Sequence, residues 1–156
     1  MKFILTGELG RLARWLRILG FDAELEVKRP DLVLKSLREE RVILTRDSKM
    51  SRFSGVRMLK IESDYVEEQL KQVVGSLGLK IERDNLFKVC VLCNNVLDRV
   101  KKEAVEKCVP PHVFQTQSLF LKCPKCNRIY WQGSHWALVN KFLDKLVHSP
   151  RSTEKE

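Results

Sequence analysis

The sequence predicts an α/β domain with a mainly parallel sheet over residues 1–82, then a cysteine-built ribbon with a terminal helix over residues 86–148. Three observations predict it. Short apolar strands alternate with amphipathic helices in the first half, which is the pattern of a parallel sheet covered on both faces. Two Cys-x-x-Cys pairs stand in the second half, and the composition changes between the two near Gly78 to Asn85.

Residues 2–6 (Lys-Phe-Ile-Leu-Thr) read as a buried strand ended by Gly7. Leu9, Leu12, Leu16 and Leu19 recur at helical spacing and predict a helix that Gly20 stops. A second strand is expected over residues 23–27, and a helix over 31–40 that Pro30 and Asp31 open, with Leu34 and Leu37 facing inward. Residues 41–45 and 56–61 read as the third and fourth strands. The helix over 65–77 carries Val66, Leu70, Val73 and Leu77 as its stripe, Ser63 and Asp64 where a cap belongs, and Glu67 in the first turn. A last helix is expected over 135–146, and residues 149–156 read as a disordered tail.

A hydrophobic content of 44% beside 31% charged residues excludes a disordered chain. No apolar run approaches the ~20 residues that span a bilayer. Glu8 and Arg11 interrupt the N-terminal apolar residues, so a signal-peptide core is lacking and a cytoplasmic protein is expected. The net charge is +9, of which +3 falls in residues 1–85 and +6 in residues 86–156. That excess favours a polyanionic partner, nucleic acid first, although basic charge also serves solubility alone.

Cys90-Val-Leu-Cys93 and Cys123-Pro-Lys-Cys126 are separated by 29 residues. Zinc takes four tetrahedral ligands, and a Cys-x-x-Cys turn lets two thiolates meet one ion. Two such turns, each at a hairpin tip, predict one structural Zn²⁺ with no open position for chemistry. Asn94 and Asn127 follow the pairs where a tight turn needs a residue tolerating positive φ. The fifth cysteine, Cys108, is expected as a small buried hydrophobe.

In a parallel sheet, active sites lie beyond the carboxyl ends of the strands. Glu8, Asp47 and Asp64 fall there, and Asp31 at the start of the second helix is in position to join them. Carboxylates gathered from separate elements repel one another unless a divalent cation sits among them. Mg²⁺ or Mn²⁺ so held activates water and stabilises charge on a phosphate. Taken singly, Asp31 and Asp64 also fit helix caps, and Asp47 fits the cap of a short helix through Met50 and Phe53. Arg11, Arg14 and Arg17 lie opposite the leucine stripe, either as a solvated face or as phosphate-positioning groups.

These residues together resemble a known family. Residues 9–22 (Leu-Gly-Arg-Leu-Ala-Arg-Trp-Leu-Arg-Ile-Leu-Gly-Phe-Asp), Ile43-Leu-Thr-Arg-Asp47 and Glu68-Gln-Leu70 are similar to the Mut-seven C-terminal ribonuclease-domain family. Both cysteine pairs, Val109-Pro-Pro-His112 and residues 128–136 (Arg-Ile-Tyr-Trp-Gln-Gly-Ser-His-Trp) extend the likeness to about Lys145. The resemblance implies a PIN-like three-layer α/β/α nuclease fold followed by a zinc ribbon, and metal-dependent cleavage of RNA. Carried over by position, Asp47 is the best-placed acid, with Asp31 and Asp64 beside it. Members end the first strand with an aspartate, and Thr6 stands there in this chain; Glu8 is the nearest substitute.

Arg11, Arg14 and Arg46 are the expected phosphate contacts. In the ribbon, Lys122, Lys125 and Arg128 supply charge, and Trp131 supplies a face for stacking unpaired bases. The expected function is therefore metal-dependent ribonuclease action on RNA. Two alternatives stand beside it: an RNA-binding factor of the ribosome or another ribonucleoprotein with weakened catalysis, which Thr6 favours, and a protein–protein adaptor built on the ribbon.

Overall fold

The computed structural model describes residues 1–148, so the expected tail at 149–156 lies outside the described residues. The chain divides into two compact units. The first comprises Met1–Asp98 with Cys123–Arg128; the second comprises Arg99–Lys122 and the chain from Ile129 onward.

In the first unit, β1 (Lys2–Thr6), β2 (Asp22–Glu26), β3 (Val42–Thr45) and β4 (Met58–Lys60) form a parallel sheet in the order β2-β1-β3-β4. Central strands lose solvent on both faces, and all four residues of β3 are buried. The register aligns Thr6 with Glu26 and Leu5 with Leu44, which brings the carboxyl ends of β1, β2 and β3 to one edge.

Helix α1 (Gly10–Ile18) buries the predicted stripe of Leu9, Leu12, Leu16 and Leu19, each worth about 1.5–3 kcal/mol relative to exposure. Gly20 ends it at φ +90°, and the Phe21 N–H returns to the Leu16 carbonyl. A Cβ at Gly20 would stand 2.3 Å from the Asn85 carbonyl, so the glycine is obligatory there. Helix α1 packs on β2 and on α3 (Val66–Leu77), where Leu70 and Val73 are buried.

Helix α2 (Arg29–Glu39) departs from the expected orientation. Leu32 is its fully buried residue, packed with Ile4, Ile43 and Met50, while Leu34 and Leu37 are exposed. Leu32 and Ser36, four apart, share the face that packs on the sheet. Ser36 donates to the Arg41 carbonyl at 2.7 Å, which satisfies that polar position.

The second unit has a three-stranded sheet of β5 (Asp98–Val100), β6 (Phe120–Lys122) and β7 (Ile129–Trp131), with β6 in the middle. Helix α4 (Pro111–Thr116) lies between β5 and β6, and α5 (Ser134–His148) follows β7. Its core gathers Val105, Val109, Val113 and Phe120. Cys108 is exposed, contrary to expectation, because the turn after Val105 points Val105 and Val109 inward and leaves Cys108 outside. Among the described residues, no helix is long and apolar enough to cross a membrane.

Candidate metal centre and catalytic edge

The two cysteine turns have the same local build. The Cys90 N–H donates to the Asn95 carbonyl and the Asn94 N–H to the Cys90 carbonyl; Cys123 with Arg128, and Asn127 with Cys123, repeat both bonds. Asn94 and Asn127 each take φ 61°, as their places after the pairs predict. The Cys93 N–H points at the Cys90 sulfur at 3.4 Å. All four Sγ atoms lie within 4.8 Å of one another.

Cys90 Sγ and Cys126 Sγ are 3.8 Å apart. A tetrahedron with Zn–S bonds of about 2.3 Å has edges of about 3.8 Å, so the cluster fits a zinc ion. Four close thiols can bind a metal ion such as zinc, and they leave no position for substrate. Burial and the neighbouring sulfurs push the Cys93 thiol up to about 12 in the absence of a metal. Metal uptake at neutral pH therefore displaces protons, and affinity falls as pH falls.

The first turn is fastened to the sheet by polar side chains. Arg17, buried on α1, donates from Nε to the Ala23 carbonyl at 2.8 Å and from Nη1 to the Val91 and Leu92 carbonyls at 2.8 and 3.4 Å. Asn94 accepts the Ala23 N–H at 2.9 Å and donates to Asp22 Oδ1 at 2.6 Å. Asp22 is also gripped by Arg41, at 2.7 Å from Nη1 to Oδ1 and 3.2 Å from Nη2 to Oδ2. Arg17 thus leaves the group of solvated or phosphate-binding arginines in which its helical position placed it. Its guanidinium serves carbonyls that β2 and the cysteine turn leave without a ladder partner.

At the carboxyl edge of the sheet, four residues form a chain of contacts across β1 and β3. Thr6 Oγ1 donates to Glu8 Oε1 at 2.6 Å and lies 3.3 Å from Thr45 Oγ1, which accepts the Asp47 N–H at 3.0 Å. The Asp47 carboxylate caps the following 3-10 turn (Ser48–Arg52) through the Lys49 N–H at 2.9 Å and forms an ion pair with Arg29. Asp64 pairs with Arg46, and the Tyr65 N–H bonds Ser63 Oγ instead at 3.1 Å. Asp31 is exposed in the first turn of α2. Among the described residues, the four cysteines are the group of three or more metal-binding side chains close enough to share one ion.

The other basic and aromatic residues singled out in the sequence are distributed as follows. Arg11 and Arg14 are exposed on α1; Lys125 and Arg128 are exposed on the second cysteine turn. Lys122 is half-buried on β6, and Trp131 ends β7 with 37% of its surface exposed.

The family model described as Mut7-C RNAse domain matches residues 1–143. No curated protein and no solved structure matches the chain. With that one model covering the parallel sheet, its carboxyl edge and both cysteine turns, the chain belongs to the Mut7-C RNAse domain family.

Proposed function

We propose that this chain is a ribonuclease, PIN-like in its first part with a zinc ribbon behind it, that hydrolyses phosphodiester bonds at the carboxyl edge of β1 and β3. The observation that carries this reading is the contact chain Glu8–Thr6–Thr45–Asp47, which sets two carboxylates on neighbouring strand ends.

The donors there fit a hard divalent cation in kind, since Mg²⁺ and Mn²⁺ take carboxylate oxygens. Arg29 and Arg46 supply compensating charge, and each pair has one well-exposed partner: the Arg29 side chain is 56% and Asp64 75% exposed, against 23% for Asp47 and 37% for Arg46. Ion pairs with an exposed partner contribute about 0–1 kcal/mol, so they are expected to yield to a cation. Bound Mg²⁺ or Mn²⁺ would supply charge for the phosphate and an activated water. Glu8 and Asp47 would hold the ion, and Asp31 and Asp64 would have to move toward it to add further carboxylates. Arg11, Arg14 and Arg46 orient phosphates, while Lys122, Lys125, Arg128 and Trp131 hold the rest of the RNA.

A second reading is favoured by Thr6, whose hydroxyl stands where the family's pattern has a carboxylate. In it the scaffold binds RNA, as a factor of the ribosome or another ribonucleoprotein, with hydrolysis weakened. Incubating labelled single-stranded RNA with Mn²⁺ and either the natural chain or Asp47→Asn separates the two. The ribonuclease reading expects cleavage that falls at least tenfold in the variant. Equal cleavage by both sinks the assignment of Asp47, and salt-dependent binding without cleavage supports the second reading.

A further inference from the structure

We propose that the groove between α1, β2 and the first cysteine turn is a subsite for one nucleotide of single-stranded RNA, an inference that rests on the RNA-acting reading above. The groove has a volume of about 300 Å³ and is lined by Gly10, Arg11, Arg14, Leu25, Val91 and Leu92, with Arg17 at its base. That is the lower end of the ~300–1,000 Å³ typical of ligand sites, which suits one nucleotide.

Its chemistry is two-sided. Arg11 and Arg14 are exposed and have no ion-pair partner among the described residues, whereas Arg29, Arg41 and Arg46 each hold a carboxylate. Leu25 and Leu92 present large apolar surface, 36% and 48% exposed. Two open guanidinium groups beside two apolar walls match a phosphate joined to a base with a free face. A duplex offers the phosphate but keeps its base faces stacked, so the groove selects single strands.

Arg17 is not a ligand in this subsite. Its bonds to the Ala23, Val91 and Leu92 carbonyls fix the wall, so the cysteine turn carries Leu92 to the groove as part of one rigid unit. The groove includes Gly10, two residues after Glu8 in the chain.

The test uses the zinc-loaded full chain without added Mg²⁺ or Mn²⁺ and a fluorescent single-stranded RNA decamer, read by anisotropy. Leu92→Asp and the double variant Arg11→Ala/Arg14→Ala are expected to weaken binding at least tenfold. The double variant should also lower the slope of log affinity against log salt by about 1.4. Arg38→Ala, on the exposed side of α2, should change affinity less than twofold. A decamer carrying 4-thiouridine should cross-link to peptides containing Leu25 or Leu92, which decides the matter even where a variant loses its zinc. Natural affinity in both groove variants, or cross-links confined to other peptides, overturns the subsite and leaves the RNA-acting reading standing. No RNA binding by the natural chain overturns both.

Discussion

In the cysteine turns, four sulfurs converge within 4.8 Å and the backbone around each pair is tied by the same two hydrogen bonds. At the carboxyl edge of the sheet, four carboxylates come from separate elements, and Asp47 and Asp64 are each matched to an arginine instead of to one another. The contrast is physical. The sulfurs converge because the backbone bonds of two tight turns hold them there. Carboxylates repel one another, and here Asp47 and Asp64 are each held by a guanidinium group. The cysteines already stand at the spacing of one ion; under the ribonuclease reading, the carboxylates would be drawn together by the cation they bind.

The largest expected effect tests the first half of that contrast. Cys90→Ser should abolish stoichiometric zinc binding and the cooperative thermal transition of the first unit, since structural zinc sites contribute on the order of 10–16 kcal/mol. Zinc analysis and calorimetry read both; a normal transition without zinc would show that the cluster is dispensable. Next, Arg17→Met should cost about 2–4 kcal/mol, because it strips the donor from carbonyls of both β2 and the cysteine turn. Urea unfolding measures it, and a loss under 1 kcal/mol would mean that the turn docks without Arg17.

Asp22→Asn should cost about 1–2 kcal/mol at neutral pH. Burial works to raise the Asp22 carboxyl, but hydrogen bonds from Arg41 and Asn94 outweigh it and hold it below the usual carboxylate range. Its contribution is complete above the ordinary aspartate value of about 4 and fades as pH falls through its lowered value. The stability gap to the natural chain should therefore close in acid, and a gap that widens there would reverse the sign. The smallest effect belongs to the other region. Arg29→Ala should change stability by less than about 1 kcal/mol, since the Arg29 side chain is 56% exposed.

Much of this contrast is legible in the sequence, and the rest fails for identifiable reasons. The leucine stripe of α1, the four strands and the Asn94 and Asn127 turns follow from short-range periodicity and turn chemistry, which neighbouring residues decide. Asp47 as a cap is equally local. Arg17 is not, because its carbonyl partners Val91 and Leu92 lie 74 and 75 residues away, and a helical wheel places it among solvated arginines. Leu34 and Leu37 mislead because helical spacing defines more than one apolar face, and packing on the sheet selects the one with Leu32 and Ser36. The pairing of Asp47 with Arg29 and Asp64 with Arg46 depends on which strand ends become neighbours, which no local pattern encodes.

Thr6 lies at the centre of the carboxyl-edge contacts. Its hydroxyl joins Glu8 to Thr45, and a carboxylate in its place would face Glu8 at hydrogen-bond distance. Thr6→Asp should cost about 1 kcal/mol without a divalent cation, and Mn²⁺ should restore that loss. A destabilisation that Mn²⁺ leaves unchanged would remove the strand end from the cation site.

The most direct measurement is a Mn²⁺ titration of the zinc-loaded chain followed by electron paramagnetic resonance, beside Asp47→Asn. One bound Mn²⁺ in the natural chain, at least tenfold weaker binding in the variant and unchanged zinc in both are the predicted result. Equal Mn²⁺ binding by the two, or none by the natural chain, would contradict a second metal site at the carboxyl edge.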